Sequence, residues 1–385
     1  MGTDDLKIDK LYRPTWTCGR YNERSKTAIY FNLLSGLSFL FEGNSALVLG
    51  YILSIKKGES CSLEAISTQT CIPESKVRPF IFQLVSNGLL SMMPMTKNVV
   101  DKYRKTLKEK RKNGNTNVAT ETINDNDSVE KSYAKLTNSR VVTVMFELTY
   151  NCSEKCVHCY NPGAVRNDEE INLRGKYNAL HWPDFKRIID ELYDEGLVKV
   201  CLSGGDPFSN NYVWEIIDYL YKRDIAFEIY TNGLKLYGQE ERLAGYFPCN
   251  VGISIYSDKP EIHDAVTRVK GSFNKSVNVI ERLSSLSVPL EIKCCLMKIN
   301  VKYYLGVADI AKQYGAVFQL ECAIFDSVDG DTCVSKYLRL SEEQMSIVLR
   351  DKNNPLYECP HVTKLAKFKL PSCSTSMFWN TLCRI

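Results

Sequence analysis

From Arg140 onward, short runs rich in β-branched and aromatic residues alternate with amphipathic stretches of helical period. The strand-like runs are Val141–Leu148, Val198–Leu202, Ala226–Tyr230, Asn250–Tyr256, Leu290–Leu296 and Val317–Glu321. Between them lie Asp184–Glu195, Tyr212–Arg223, Gln239–Tyr246, Ser272–Leu283 and Tyr303–Tyr314. A helix between two strands carries the chain back to its starting edge, so the strands pair in parallel through crossovers of one hand. The pattern predicts an α/β fold, a partial (β/α)6 barrel of the TIM type. In such folds the chemistry gathers at the C-terminal ends of the strands.

The first of those strand ends runs directly into Leu148-Thr-Tyr-Asn-Cys152-Ser-Glu-Lys-Cys156-Val-His-Cys159. The gaps C-x3-C-x2-C let one loop wrap three thiolates around a face of a [4Fe–4S] cube, which requires soft sulfur ligands. Three cysteines leave one iron open to a small chelating molecule. A zinc site with His158 as fourth ligand is the alternative, although His158 is next to Cys159 and a shared tetrahedron is strained. The chain holds 15 cysteines in all, an odd number at uneven spacings, which does not describe a disulfide framework. Cys18, Cys61, Cys71, Cys201, Cys249, Cys294 and Cys295 are expected in the core, where a thiol packs as a small hydrophobe.

This spacing after the first strand of a β/α barrel resembles the radical S-adenosylmethionine (SAM) superfamily, over about Val141 to Phe325. The resemblance implies that SAM chelates the open iron and is cleaved by one electron to a deoxyadenosyl radical, which abstracts hydrogen from a C–H bond. The second strand ends in Ser203-Gly204-Gly205-Asp206-Pro207, similar to the family's GGE motif at the SAM amino group. The third ends in the family-like turn Thr231-Asn232-Gly233. Beyond the fourth, Ser254 is implied as a contact to the SAM ribose and Arg268 to its carboxylate, for which a guanidinium fork is suited. His158 takes the place of an aromatic residue near the adenine. His263 is expected to be structural.

The N-terminal part follows another pattern. Thr27 to Phe41 reads as two strands around Ser35-Gly36. Asn44–Ser54, Leu63–Thr70 and Pro73–Asn87 read as helices, the last with Val77, Phe80, Ile81 and Leu84 as its buried stripe and Pro79 as a kink or a later start. This is the outline of a winged-helix-like α+β domain over residues 1–95. Residues 96–139, basic and then rich in Asn and Thr, read as a polar, solvated linker with a short helix in the basic half. Residues 140–336 would then be the radical SAM core, and 337–385 a C-terminal tail.

Two further resemblances bear on the substrate. The stretch IYSDKPEIHDAVTRVKGSF, with KCCLMKINVKYY after it, resembles radical SAM maturases of ribosomally made precursor peptides, which often join a cysteine sulfur to a carbon. The first domain resembles the peptide-recognition element of such maturases, implying a leader peptide added as a strand at the sheet edge. A small flavodoxin or ferredoxin is the implied electron donor. Many relatives end in a SPASM region with auxiliary clusters. Here the tail offers Cys359, Cys373 and Cys383, an incomplete set that leaves such a cluster open and resembles a truncated SPASM region. Competing readings are a radical enzyme oxidising a protein side chain or acting on a small metabolite, and an iron–sulfur DNA-binding regulator. A net charge of +4 gives little support to a nucleic-acid or membrane partner. No apolar run nears the roughly 20 residues of a membrane span, and Met1 to Lys10 lacks a signal-peptide core, so the expected location is the cytoplasm.

Overall fold

The structure is a computed structural model that describes residues 10–112, 128–161, 181–326 and 333–351. Its N-terminal part holds β1 (Leu11–Tyr12), β2 (Thr17–Asn22), β3 (Thr27–Asn32), β4 (Leu37–Glu42) and β5 (Ser60–Cys61), with helices α1 (Gly43–Ser54), α2 (Leu63–Thr70) and α3 (Glu74–Ser86). Strands β2, β3 and β4 form an antiparallel sheet with β3 in the middle. Strand β2 was not expected: its TCGRYN sequence mixes Gly, Arg and Asn into a run without clear alternation. Every residue of β3 is buried, because helices cover the sheet as well as neighbouring strands.

Helix α3 runs unbroken through Pro79. Pro79 is exposed and forfeits one backbone bond near the helix start, costing about 3 kcal/mol. Val77, Ile81 and Leu84 are all at most 1% exposed, and each contributes about 1.5–3 kcal/mol by burial. Packing outweighs the proline, so the expected later start does not occur.

The stretch expected to be a solvated linker includes two packed helices, α4 (Lys97–Lys112) and α5 (Val129–Thr137). Tyr103 of α4 stacks on Trp16 with ring centroids 4.8 Å apart. Tyr133 of α5 is fully buried in the cluster that also contains Trp16, Val198 and Ala226. These apolar residues are few among many charges, which is why composition alone hid them.

The remaining elements are β6 (Thr143–Glu147), α6 (Trp182–Asp194), β7 (Lys199–Ser203), α7 (Val213–Lys222), β8 (Ala226–Thr231), α8 (Glu240–Gly245), β9 (Asn250–Ser254), α9 (Pro260–Thr267), α10 (Ser272–Ser285), β10 (Leu290–Cys295), α11 (Tyr304–Tyr314), β11 (Val317–Glu321), α12 (Cys333–Leu338) and α13 (Glu342–Arg350). Strands β6 to β11 make one parallel sheet in chain order, with β6 and β11 at its edges. This is the expected partial (β/α)6 barrel. Alternation sets its two faces: in β10, Leu290, Ile292 and Cys294 are buried while Glu291, Lys293 and Cys295 are less so. The helices add stripes at helical spacing, such as Val213, Ile216, Ile217 and Leu220 in α7. Among the described residues no helix is long and apolar enough to cross a membrane.

Candidate active site at the strand ends

A cavity of about 400 Å3 opens at the C-terminal ends of the parallel strands. Cys152, Cys156 and Cys159 all line it, on the loop that leaves β6. Backbone bonds fix that loop. Lys155 and Val157 donate N–H to the Thr267 and Val266 carbonyls at the end of α9, at 3.0 and 2.9 Å. From the other side, Gly205 N–H reaches the Thr149 carbonyl at 2.6 Å and Asp206 N–H the Asn151 carbonyl at 2.9 Å. Buried Asn210 donates its side-chain amide to the Leu148 carbonyl at 2.9 Å.

The glycine pair is explained by this contact. Gly204 has φ +124, and a Cβ there would lie 2.4 Å from the Thr149 carbonyl oxygen. A Cβ on Gly205 would lie 2.4 Å from the Asn151 carbonyl oxygen. Only residues without a side chain let the two loops approach so closely. Both glycines also line the cavity, as do Ser254 and His158. His158 meets Tyr256 edge-on at 4.8 Å, and burial lowers its pKa to about 4.

Two residues named from the sequence are placed elsewhere. Asp206 is fully buried behind the loop, its Oδ1 accepting from the Thr231 hydroxyl at 2.6 Å, and it does not line the cavity. Burial lifts its carboxyl to about 6. Arg268 caps α9 in the left-handed region at φ 58, a turn that leaves its side chain exposed and outside the cavity lining. His263 is fully buried and accepts from the Tyr256 N–H at 3.2 Å, the structural role expected of it. Cys201 is a core thiol, buried Cys294 and half-buried Cys295 both border the cavity, and Cys71 is exposed at the end of α2. Cys359, Cys373 and Cys383 lie outside the described residues.

The thiols fit the three-ligand loop of a cube. They line one cavity, and as free thiols they are held up by burial first and by nearby carboxylates next, Asp206 and Glu154 for Cys152 and Glu154 for Cys156: Cys152 rises to about 12 and Cys156 well above its ordinary value. Iron bound there would stabilise the thiolates and so reverse that shift. Contacts missed from the sequence include Glu154, whose carboxylate is 3.2 Å from the Cys156 sulfur, and Asn232, whose amide is 3.3 Å from the Cys152 sulfur. The sequence marks the turn Thr231-Asn232-Gly233 but neither contact, because each depends on how a loop folds back or on two loops meeting.

Residues 146–304 match the model of the radical SAM superfamily. The chain carries a radical SAM domain. That family uses a [4Fe–4S] cluster and SAM. The domain is similar to the mycofactocin maturase MftC of Mycolicibacterium smegmatis, 30% identical over 181 residues, 46% of this chain and 44% of that protein. It is also similar to the subtilosin biosynthesis protein AlbA of Bacillus subtilis, 27% identical over 173 residues, 44% of this chain and 37% of that one. The matches therefore span less than half the length of these curated relatives. Among solved structures, SuiB of Streptococcus suis bound to S-adenosylmethionine superposes with a TM-score of 0.50 at 15% identity, covering 92% of this chain and 71% of that one. At that identity the likeness speaks for the fold, here the α/β core of the radical SAM domain with a small antiparallel sheet before it.

Proposed function

We propose that this chain is a radical SAM maturase that modifies a ribosomally made precursor peptide, with the cluster held by Cys152, Cys156 and Cys159. The observation that carries the reading is the convergence of these three thiols and the Gly204-Gly205 loop on one cavity at the strand ends. Bound there, the cluster and SAM would supply a one-electron cleavage and a carbon radical able to take hydrogen from an unactivated C–H bond. The chain's own part is placement. Gly204 and Gly205 give backbone access, Ser254 offers a hydroxyl, and His158 presents a neutral ring against Tyr256. Asp206 serves this set from behind by holding the turn of Thr231. Arg268 stands outside it.

The recognition role falls to residues 1–95, joined through 96–139 to a core over 140–336 and a tail over 337–385. Among the described residues strand β4 pairs with β3 alone, which leaves its other edge for an added strand. Phe39 and Phe41 of β4 and Phe80 of α3 are only half-buried beside that edge, with Phe41 and Phe80 edge-to-face at 5.7 Å. Such an edge would give a leader peptide main-chain bonds beside apolar side chains. The sequence similarity to a mycofactocin maturase and a bacteriocin biosynthesis protein supports the same choice. Thioether formation or another C–H-derived cross-link is the chemistry that reading favours. A cytoplasmic setting with a small flavodoxin or ferredoxin as donor suits the free thiols.

The test is anaerobic reconstitution with iron and sulfide, then SAM cleavage with dithionite. The expected result is about four irons per chain and release of deoxyadenosine. Replacing any one of Cys152, Cys156 and Cys159 by Ala should abolish cleavage. Cleavage retained by the triple Ala variant would overturn the reading.

A further inference from the structure

Asn232 follows β8 and is 6% exposed. Its carboxamide orientation is fixed by its surroundings. The Leu234 N–H donates to its Oδ1 at 2.9 Å, so Oδ1 is the acceptor and the NH2 group must point the other way. That NH2 faces the Cys152 Sγ at 3.3 Å and the Ser153 Oγ at 3.4 Å, one partner for each hydrogen. The turn itself is pinned. Ser276 donates its hydroxyl to the Asn232 carbonyl at 2.6 Å, and Gly233 N–H reaches the Thr231 hydroxyl at 3.0 Å. Cys152 thus receives a second donor besides the Glu154 N–H at 3.4 Å, whereas the Cys156 sulfur is next to the Glu154 carboxylate.

We infer that Asn232 is a positioning residue for the cluster: its amide hydrogen-bonds the Cys152 thiolate and raises the potential at which the cluster accepts its electron. This rests on the reading that Cys152 is a cluster ligand. The physical ground is electrostatic. Reduction adds negative charge that spreads onto the sulfurs, and a donor aimed at one of them stabilises the reduced form more than the oxidised form. The donor belongs to a nearly buried amide whose orientation is locked by the Leu234 N–H.

Two variants separate this role from a structural one. Asn232→Asp keeps the shape and the acceptor for Leu234 but puts an oxygen where the donor was. Asn232→Leu removes the donor without adding charge. Each is reconstituted anaerobically beside the unaltered chain, counted for iron and sulfide, and titrated potentiometrically with the spectrum of the reduced cluster as readout. The expected result is unchanged iron content and a lower potential in both, the Asp variant shifted more. In the Leu variant the ratio of reduced to oxidised cluster at one fixed poise should fall about tenfold, about 59 mV for a one-electron couple. Equal potentials in all three proteins would overturn the inference and leave the functional reading intact. Loss of iron in both variants would overturn it too, by making Asn232 a structural support only. Failure of the unaltered chain to take up iron would instead remove the functional reading beneath it.

Discussion

The cysteine loop and the seam between the N-terminal sheet and the barrel are held by different kinds of bond. Main-chain groups hold the loop: N–H groups of Lys155 and Val157 on one flank, and of Gly205 and Asp206 on the other. Side chains hold the seam. Arg13 and Lys57 both meet Asp224, at 2.5 and 3.0 Å, and Lys57 also lies over the Tyr221 ring at 3.8 Å. Arg20 lies over Tyr193 at 4.1 Å, and Arg104 reaches the Ala244 carbonyl at 2.9 Å. A loop fixed by its backbone tolerates many side-chain changes but no extra atom where two chains touch. A seam fixed by charge fails when one charge is lost.

The largest effect should therefore come from Gly204→Ala. The new Cβ meets backbone, which cannot swing aside, and φ +124 is unfavourable for alanine. Backbone strain of about 1–3 kcal/mol and overpacking of similar size together cost roughly 2–6 kcal/mol. Chemical denaturation should show the loss, and iron uptake should collapse with it. A variant with normal iron content would show that the two loops need not touch.

Asp224→Asn tests the opposite half of the comparison. Burial pulls the Lys57 ammonium down and Asp224 opposes that shift, so neutralising Asp224 leaves two buried cations facing each other. Breaking a buried pair costs about 3–5 kcal/mol, and because Asp224 is partly exposed about 2–3 is expected. Asparagine also tolerates the left-handed φ of 59 at this position. Iron content should stay normal while limited proteolysis between the N-terminal sheet and the barrel accelerates. Loss of iron here would mean that the seam and the loop are one cooperative unit.

The same contrast explains what could be read in advance. Periodicity is local, so the six strands, the cysteine spacing and the glycine pair were legible, and so was the structural role of His263. The side on which a loop residue ends was not. Asp206 follows the glycines in a motif that suggests a ligand contact, yet its carboxylate turns inward to Thr231. Arg268 sits at a helix end whose left-handed turn sends it outward. Helix α5 was concealed because Tyr133 is its one fully buried side chain among polar neighbours, too thin a stripe to register as a packed face.

The smallest effect expected concerns acid, and it sharpens the comparison at the loop. His263 is on α9, the helix whose final carbonyls receive the cysteine-loop N–H groups. Burial lowers its folded pKa to about 4, with Asp264 opposing, against about 6.5 when unfolded. The unfolded chain thus takes the proton first. The stability His263 lends is complete above pH 6.5 and is lost as pH falls toward 4, by about 2 kcal/mol between pH 7 and pH 5. Asp206 acts in the other direction, since its raised pKa of about 6 favours the folded state as pH falls. Comparing the chain with its His263→Asn variant, which keeps an acceptor for the Tyr256 N–H, removes that contribution from the difference. Denaturant unfolding at both pH values should show the unaltered chain losing about 2 kcal/mol more than the variant. Equal losses would mean that α9 opens to admit water before it unfolds, and that the backbone clamp on the cysteine loop is weaker than the charged seam.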